Sequence, residues 1–427
     1  MLKTPFSSVH AFCAFNSNVD YVTRLTEERL SLLGPEAEPI SKPPGEVSSL
    51  KEVRQCVDWS TRTGEAVYVG VRPAAFKELA EALGDPDEKL LGGQAGIMAN
   101  NLVELGATVT AYPVMLSEEQ AELFDERVYG LRKWGKRLVK RSIQSVAKGN
   151  ETKINWILEF SEGFNGAPRA NRVILSSHLH KEMLFPRKWP LKELSRFGET
   201  IDVAFVAGVQ SLKTSYGPHS FSNSLQTLCR QLEALRKNNG SLLLHLEYVP
   251  FKNKSLELLA LKKVFRHANS LGINEVEVQR LCSRLGFPEL DPSKPQDVVR
   301  SAIRVFDSFE LTRLHVHSLG YHVFVLKQGE HDPEKSFEAA QFASQVATKK
   351  AGGKRKKPPK KSAELVEEAA SVLTPSQAKQ VLSQGFARVN GHWLVIVPTV
   401  FVKKPKRTVG LGDVVSSTAL AFERATP

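Results

Sequence analysis

Residues 408–420 read TVGLGDVVSSTAL and carry the strongest chemical signal in the chain. A strand-like run precedes them and an apolar, helix-like run follows, which puts Gly410 and Gly412 at a helix entrance. Glycines there let backbone N–H groups close on an anion, while the helix dipole places positive partial charge at the same point. Asp413 falls in the first turn, beside such an anion. A carboxylate repels phosphate unless it has work to do, and the work on offer is taking the proton from an attacking hydroxyl. The same placement also suits a plain helix cap, so the motif alone leaves both readings open.

Other clusters supply groups suited to hydroxyls and metal. In 91–101 (LGGQAGIMANN), Gly92 and Gly93 permit close approach, and Gln94 and Asn100 can hydrogen-bond a polyol; a Gly-rich turn before an apolar helix is the alternative. In 15–20 (FNSNVD), Asn18 and Asp20 face the same way if the segment is extended, as a sugar site requires, although a local turn uses the same residues. His245 and Glu247 (HLE) end an apolar strand, and Asn274 and Glu277 (NEVE) begin a helix, the places where α/β sheets bind ligands. Their oxygens suit Mg²⁺, which keeps several waters and needs few protein ligands; His245 is the poorer ligand for so hard a cation. His315 and His317 share a strand face without a nearby third ligand and read as structural rather than as a zinc pair.

Absent motifs narrow the chemistry. The chain has no GxxxxGK[ST], no HExxH and no kinase HRD or DFG set, and GLGDVV lacks the third glycine of a dinucleotide fingerprint.

The elements that must position these groups alternate. Residues 107–113, 202–207 and 241–246 are short apolar runs that predict buried strands, and 314–326 and 392–398 repeat the signal. Between them, 222–237 spaces Leu225, Leu228, Leu232 and Leu235 as a helix, with Ser222 as its cap, crossing between parallel strands. The pattern predicts an α/β fold with helices on both faces of a sheet. Segments 14–72 and 150–190 differ: 152–160 (TKINWILEF) alternates apolar and polar residues, as in a half-exposed sheet, and predicts a lid.

A chain of 427 residues, 41% hydrophobic, is long enough for a large domain and a smaller one. The net charge of +12 is concentrated in 349–361 (KKAGGKRKKPPKK), whose eight Lys and Arg leave +4 for the rest. That run predicts a solvated insertion or linker, with polyanion binding as the other reading. Cys13, Cys56, Cys229 and Cys282 form no CxxC pair and predict reduced thiols. No apolar stretch reaches membrane-spanning length and no signal-peptide pattern opens the sequence, so a cytoplasmic location is expected.

Taken in order, FNSNVD, GGQAGIMANN, TKINWILEF, APRANR, AGVQ, HLE, GINEVE, VHSLGY and VPTVFVKKPKRTVGLGDVVSS resemble the archaeal ADP-dependent sugar kinases, the phosphofructokinase and glucokinase group with a ribokinase-like fold, over about residues 10–421. The resemblance implies a three-layer α/β/α large domain (1–13, 73–149 and 191–427) and a β-rich lid (14–72 and 150–190). It makes Asp413 the base and the Gly410 and Gly412 amides the anion hole, with Arg172 reaching the phosphates. Asn18, Asp20, Gly92, Gly93 and Gln94 would hold the sugar. Val397, Pro398, Thr399, Gly410 and Leu411 would line the nucleotide, and His245, Glu247, Asn274 and Glu277 would organise Mg²⁺. ADP is the implied phosphoryl donor and AMP the product, the donor preference coming from the resemblance alone. Lys153 and Arg172 match the family's sugar-phosphate anchors, with His178 where a second arginine is usual, and they favour fructose 6-phosphate. Glu65, in the family's position for a glucokinase glutamate, keeps glucose open, although Ala66 can occupy that position instead. Sugar and ADP are the expected partners of a monomer or small homo-oligomer with no membrane contact. An ATP-dependent ribokinase-type enzyme, or a nucleic-acid-associated protein using 349–361, are the alternatives.

Overall fold

The computed structural model describes residues 5–177, 181–251, 253–354, 357–400, 402 and 410–425. Its frame is an 11-stranded sheet. From one edge the strands run Phe386–Val389, His392–Pro398, Tyr321–Lys327, Arg313–Ser318, Ser270–Asn274, Leu243–Glu247, Val203–Ala207, His10–Phe15, Thr108–Pro113, Tyr129–Trp134 and Arg137–Ser142. From Arg313–Ser318 to Tyr129–Trp134 every neighbour pairs in parallel.

The strands are apolar on both faces because helices cover both. In His10–Phe15, Phe12 and Ala14 pack into one helix layer while Ala11 and Cys13 pack into the other. Such strands read as continuous hydrophobic runs, which is why they were legible. On one side lie helices including Leu191–Gly198, Phe221–Arg236 and Pro295–Asp307. On the other lie Gln94–Glu104, Pro333–Lys350 and Leu411–Ala425. The crossover Phe221–Arg236 joins neighbouring parallel strands as expected. Its cap is Ser220, whose hydroxyl accepts from the Asn223 N–H, rather than Ser222. The long apolar run at 314–326 is two antiparallel strands, Arg313–Ser318 and Tyr321–Lys327, turned at Gly320, whose φ of +95° a side chain would oppose.

A second, 6-stranded sheet runs Glu46–Val47, Val67–Val71, Asn171–Ser177, Ile154–Phe160, Asn18–Arg24 and Glu88–Gly92. Trp156, Leu158 and Phe160 point into its core with Val53, Val57, Leu79, Val173 and Leu175. The expected boundary needs one correction. Residues 73–92, placed by sequence in the large domain, belong here: Glu88–Gly92 pairs with Asn18–Arg24, and Leu79 and Leu83 of helix Pro73–Leu83 fill the small core.

The basic run is a linker, a helix-to-helix joint: Pro333–Lys350 ends within it and Lys360–Ala370 begins within it. Ala351 is buried, the Gly353 N–H donates to the Thr348 carbonyl, and the Ser362 hydroxyl donates to the Thr399 carbonyl. Backbone pairing closes the end of the first helix through Gly353, while Lys349, Lys354, Lys357, Lys360 and Lys361 keep their charges in solvent.

Candidate active site

The carboxyl edge of the parallel strands faces the open side of the small sheet across a cleft of about 830 Å³. Asn16, Gly93, Gln94, Gly410 and Asp413 line it from the large domain. Asn18, Asp20, Lys153, Asn155, Ile174 and Ser176 line it from the small sheet. The strand register explains the second group, because the alternate residues are those buried against the helices behind.

Asp413 stands in the first turn of helix Leu411–Ala425, directly after Gly410, whose φ is +74°. A Cβ on Gly410 would lie 2.6 Å from Ile97 Cδ1, and one on Gly412 would lie 2.9 Å from His317 Cε1. The glycines therefore let the helix start flush against its neighbours, leaving first-turn amides toward the cleft. Gln94 hydrogen-bonds the Asp413 side chain. Burial pushes the Asp413 carboxyl well above the ordinary range, and the charge of Glu247 pushes it further.

Several cleft-lining polar atoms are buried without a partner: Gln94 Oε1, Asn155 Oδ1 and Ser176 Oγ. Orphaned acceptors of this kind are costly unless a ligand supplies hydroxyls. Asn18 Nδ2 donates to Asp20 Oδ1 at 2.6 Å, and Asn155 Nδ2 donates to the same oxygen at 3.1 Å. Burial raises Asp20 to about 6, opposed by those amides and by the charges of Lys153 and Arg172. Arg172, expected at the phosphates, pairs opposite Glu159 toward the other end of its strand and is not in the cleft lining; its charge still bears on Asp20.

Gly92 does not line the cleft; its missing Cβ makes room for Asn18 and Asp20, each within 2.4 Å of where it would stand. Gly93, φ +76°, lies against the Asn16 carbonyl and the Ser17 Cα, where a Cβ would come within 2.7 Å. Asn100 is turned away, donating to the Leu123 carbonyl.

Behind Asp413 runs a buried polar chain. Glu247 sits between His245 Nε2 and His317 Nε2, each 3.0 Å from a different carboxylate oxygen. A carboxylate only accepts, so both Nε2 atoms carry protons. Burial keeps the His245 ring neutral, and its Nδ1 accepts from the Ser270 hydroxyl at 2.8 Å. Ser270 Oγ accepts in turn from Arg313 Nη1 at 3.1 Å. Arg313 forms a bidentate pair with Glu423, at 2.8 Å for the shortest contact, on the same helix as Asp413. Burial pushes Glu247 up but the two ring donors outweigh it, holding the carboxyl low. Burial pushes His317 down but its hydrogen bond to Glu247 outweighs that, raising the ring to about 8.

Burial lifts Glu277 to about 7, with Glu247 adding to the rise. The charge of Glu247 thus bears on both Glu277 and Asp413, and that of Glu277 on Asp413, with His317 opposing each rise. That arrangement fits a divalent cation. Among the described residues no group of three or more His, Cys, Asp or Glu converges as direct metal ligands.

Beyond Gly92 and Arg172, five expected site residues are reassigned: His245, Asn274, Glu65, Val397 and the buried Thr399. His245 has both ring nitrogens engaged and buttresses Glu247 instead of binding metal. Asn274 commits its side-chain oxygen to the N–H groups of Val276 and Glu277 as a helix cap, leaving Glu277 as the carboxylate of that pair. Glu65 is exposed on the turn before Val67–Val71, at the end of that strand opposite the cleft-lining Gly70. The glutamate that does line the cleft is Glu46, in the PPGEV stretch, 2.6 Å from Arg72 Nε. Val397 is packed inside the core with Phe324 and Leu326, so only Pro398 of the 397–399 segment keeps a partly open side chain. His178 lies outside the described residues. Sequence reading also passed over Tyr68, Asn155 and Ser176, although the alternation through Asn155 placed that amide on the polar face.

The geometry carries a test of its own. A Cβ at Gly272 would lie 2.2 Å from Glu247 Oε2 and 2.8 Å from Ser416 Oγ. Gly272→Ala is expected to push Glu247 aside and lower turnover roughly 10- to 100-fold, as a misplacement near 1 Å does. Melting curves should show a loss of about 1–3 kcal/mol from overpacking. Unchanged kinetics in the folded variant would remove Glu247 from the site.

Residues 9–422 match the family model for the ADP-specific Phosphofructokinase/Glucokinase conserved region. The chain is 30% identical to an ADP-specific phosphofructokinase of Methanosarcina acetivorans, covering 96% of this chain and 91% of that one. It is 28% identical to an ADP-dependent glucose/glucosamine kinase of Pyrococcus furiosus, over 96% of this chain and 93% of that protein. A solved ADP-dependent kinase in complex with fructose-6-phosphate and ADPbetaS superposes with a TM-score of 0.84 at 27% identity, covering 99% of this chain and 95% of the other.

Proposed function

The chain belongs to the ADP-specific phosphofructokinase/glucokinase family, and from that premise we propose that it transfers the β-phosphoryl group of ADP to fructose 6-phosphate. The supporting observation is the placement of Asp413, at a glycine-opened helix N-terminus, in one cleft with the unpartnered acceptors Gln94 Oε1, Asn155 Oδ1 and Ser176 Oγ.

In the proposed reaction a sugar hydroxyl gives its proton to the Asp413 carboxylate as its oxygen bonds to the β-phosphorus. The bond from that phosphorus to the oxygen bridging the two phosphates breaks, and AMP leaves with the bridging oxygen. The amides around Gly410 and Gly412 face the developing negative charge. Asn18, Asp20, Gln94 and Asn155 orient the hydroxyls, and closure of the small sheet over the cleft excludes water. Mg²⁺, held through water by Glu247 and Glu277, would neutralise charge on the diphosphate.

Lys153 and Arg172 favour a phosphorylated sugar. The Lys153 ammonium is buried in the lining and lies 3.5 Å from Tyr68 Oη. Losing a charge-assisted contact to phosphate costs about 1.5–3 kcal/mol. Lys153→Ala is therefore expected to raise KM for fructose 6-phosphate at least about tenfold while leaving any turnover of glucose unchanged. Equal losses on both sugars would place Lys153 outside phosphate recognition.

Glu46 supports a second reading, glucose as acceptor, since a carboxylate in the lining suits an unphosphorylated sugar's hydroxyls. The deciding experiment offers ADP and ATP against glucose and fructose 6-phosphate with AMP release as the readout. No AMP from ADP with either sugar would overturn the proposal.

A further inference from the structure

A second concavity lies outside the catalytic cleft, at the large-sheet edge formed by Tyr129–Trp134 and Arg137–Ser142. Its volume is about 480 Å³, within the range that takes small organic ligands. Tyr112 and Trp189 form an aromatic wall, their ring centroids 5.0 Å apart, with Phe185 stacked behind Trp189. Arg132, Lys133, Lys148 and Lys188 stand around it. The acid of the lining, Glu151, is taken by Lys181 at 2.5 Å. Among the described residues no carboxylate comes within ion-pair distance of the other four cations.

Like charges converging on a concave wall raise the local potential and repel one another. The large-domain core gains nothing from them, since Lys148 and Lys188 are solvent-exposed and Arg132 and Lys133 only partly covered. An anion removes the repulsion, and the apolar wall beside it favours one that also carries a flat or hydrocarbon body.

We propose that this concavity is a binding site for a phosphorylated organic metabolite of nucleotide size, separate from the catalytic cleft. Its lining comes from places where the chain passes between the two sheets. Lys148 precedes strand Ile154–Phe160 of the small sheet, and Lys188 follows strand Asn171–Ser177 of that sheet. Arg132 and Lys133 belong to the large sheet. A ligand spanning these groups ties the connecting segments to the large domain and so biases the opening of the cleft. That consequence for catalysis rests on the proposed kinase reading, whereas the binding itself does not.

The test is calorimetric titration of the full chain with AMP, fructose 1,6-bisphosphate and inorganic phosphate as separate probes, in wild type and in Lys133→Glu/Lys188→Glu. At least one organic probe should show a class of sites weakened tenfold or more in the variant, with basal turnover unchanged. A response to AMP alone identifies a nucleotide site, and one to the bisphosphate alone a sugar-phosphate site. Lys148→Glu, on a different segment, should reproduce the loss and serves if the double variant does not fold. Identical isotherms in wild type and variants, or inorganic phosphate binding as tightly as either organic probe, would overturn the proposal.

Discussion

Asp413→Asn is expected to lower turnover by roughly 10²- to 10⁴-fold, the range for loss of a positioned general base, while ADP binding stays within a few-fold of wild type. It should also make the unliganded protein more stable at pH 8. The reason is the environment of the carboxyl: burial first, then the charge of Glu247, lifts it well above the ordinary range, only partly offset by His317 and Gln94. A group whose folded pKa exceeds its unfolded one contributes stability that is present below the unfolded pKa and is lost as pH rises through the folded one. Burying Asp413 is therefore a cost to the free enzyme at pH 8. Asparagine removes it and keeps an amide for Gln94. The melting-temperature advantage of the variant should shrink as pH falls toward the ordinary aspartate value of about 4 and vanish below it, where wild-type Asp413 is protonated in both states. A pH-independent difference, or a less stable variant at pH 8, would contradict the burial argument. Near-wild-type turnover would remove Asp413 from the chemistry.

Removing one partner of the Arg313–Glu423 pair should have the largest effect on stability. The Arg313 side chain is fully buried and that of Glu423 is 6% exposed. Glu423→Ala leaves the guanidinium with the Ser270 hydroxyl and the face of Phe324, 5.0 Å away, as its remaining partners. An uncompensated buried charge costs about 3–5 kcal/mol. Replacing both residues, Arg313→Met with Glu423→Leu, is expected to recover most of that loss, because neither charge then needs solvation. Denaturant titration of the single and double variants separates the two cases. A single variant within about 1 kcal/mol of wild type would show that water reaches the guanidinium. The pair also holds the far end of the helix that carries Asp413 at its start. Through Ser270 and His245 it touches the neighbour of Asp413, Glu247, from behind.

The parallel strands were readable because burial on both faces leaves an apolar signature, unbroken in Val203–Ala207 and interrupted in Leu243–Glu247 only by the buried polar pair His245 and Glu247. The half-exposed strand Ile154–Phe160 was readable by its alternation, which also predicted which side of it meets the cleft. The helix start at Leu411 was readable because two glycines precede an apolar run, but that stretch suits a plain cap equally well, and only the fold sets Asp413 on a cleft. Residues 73–92 were misplaced because a helix and a short strand look alike whichever sheet they join; only the pairing of Glu88–Gly92 with Asn18–Arg24 decides.

The same limit explains the site. Sequence alone indicated the fold class from its apolar runs, the family from ordered motifs spread over about residues 10–421, and an acid at a helix entrance from one short stretch. Glu46 rather than Glu65, the engagement of His245 with Glu247 and Ser270, and the capping role of Asn274 were decided only by tertiary structure. A side chain's chemistry depends on which donors and charges surround it, and those come from strands far apart in sequence. His245, Ser270, Arg313 and Glu423 become one hydrogen-bonded chain only when parallel strands and a terminal helix bring them together.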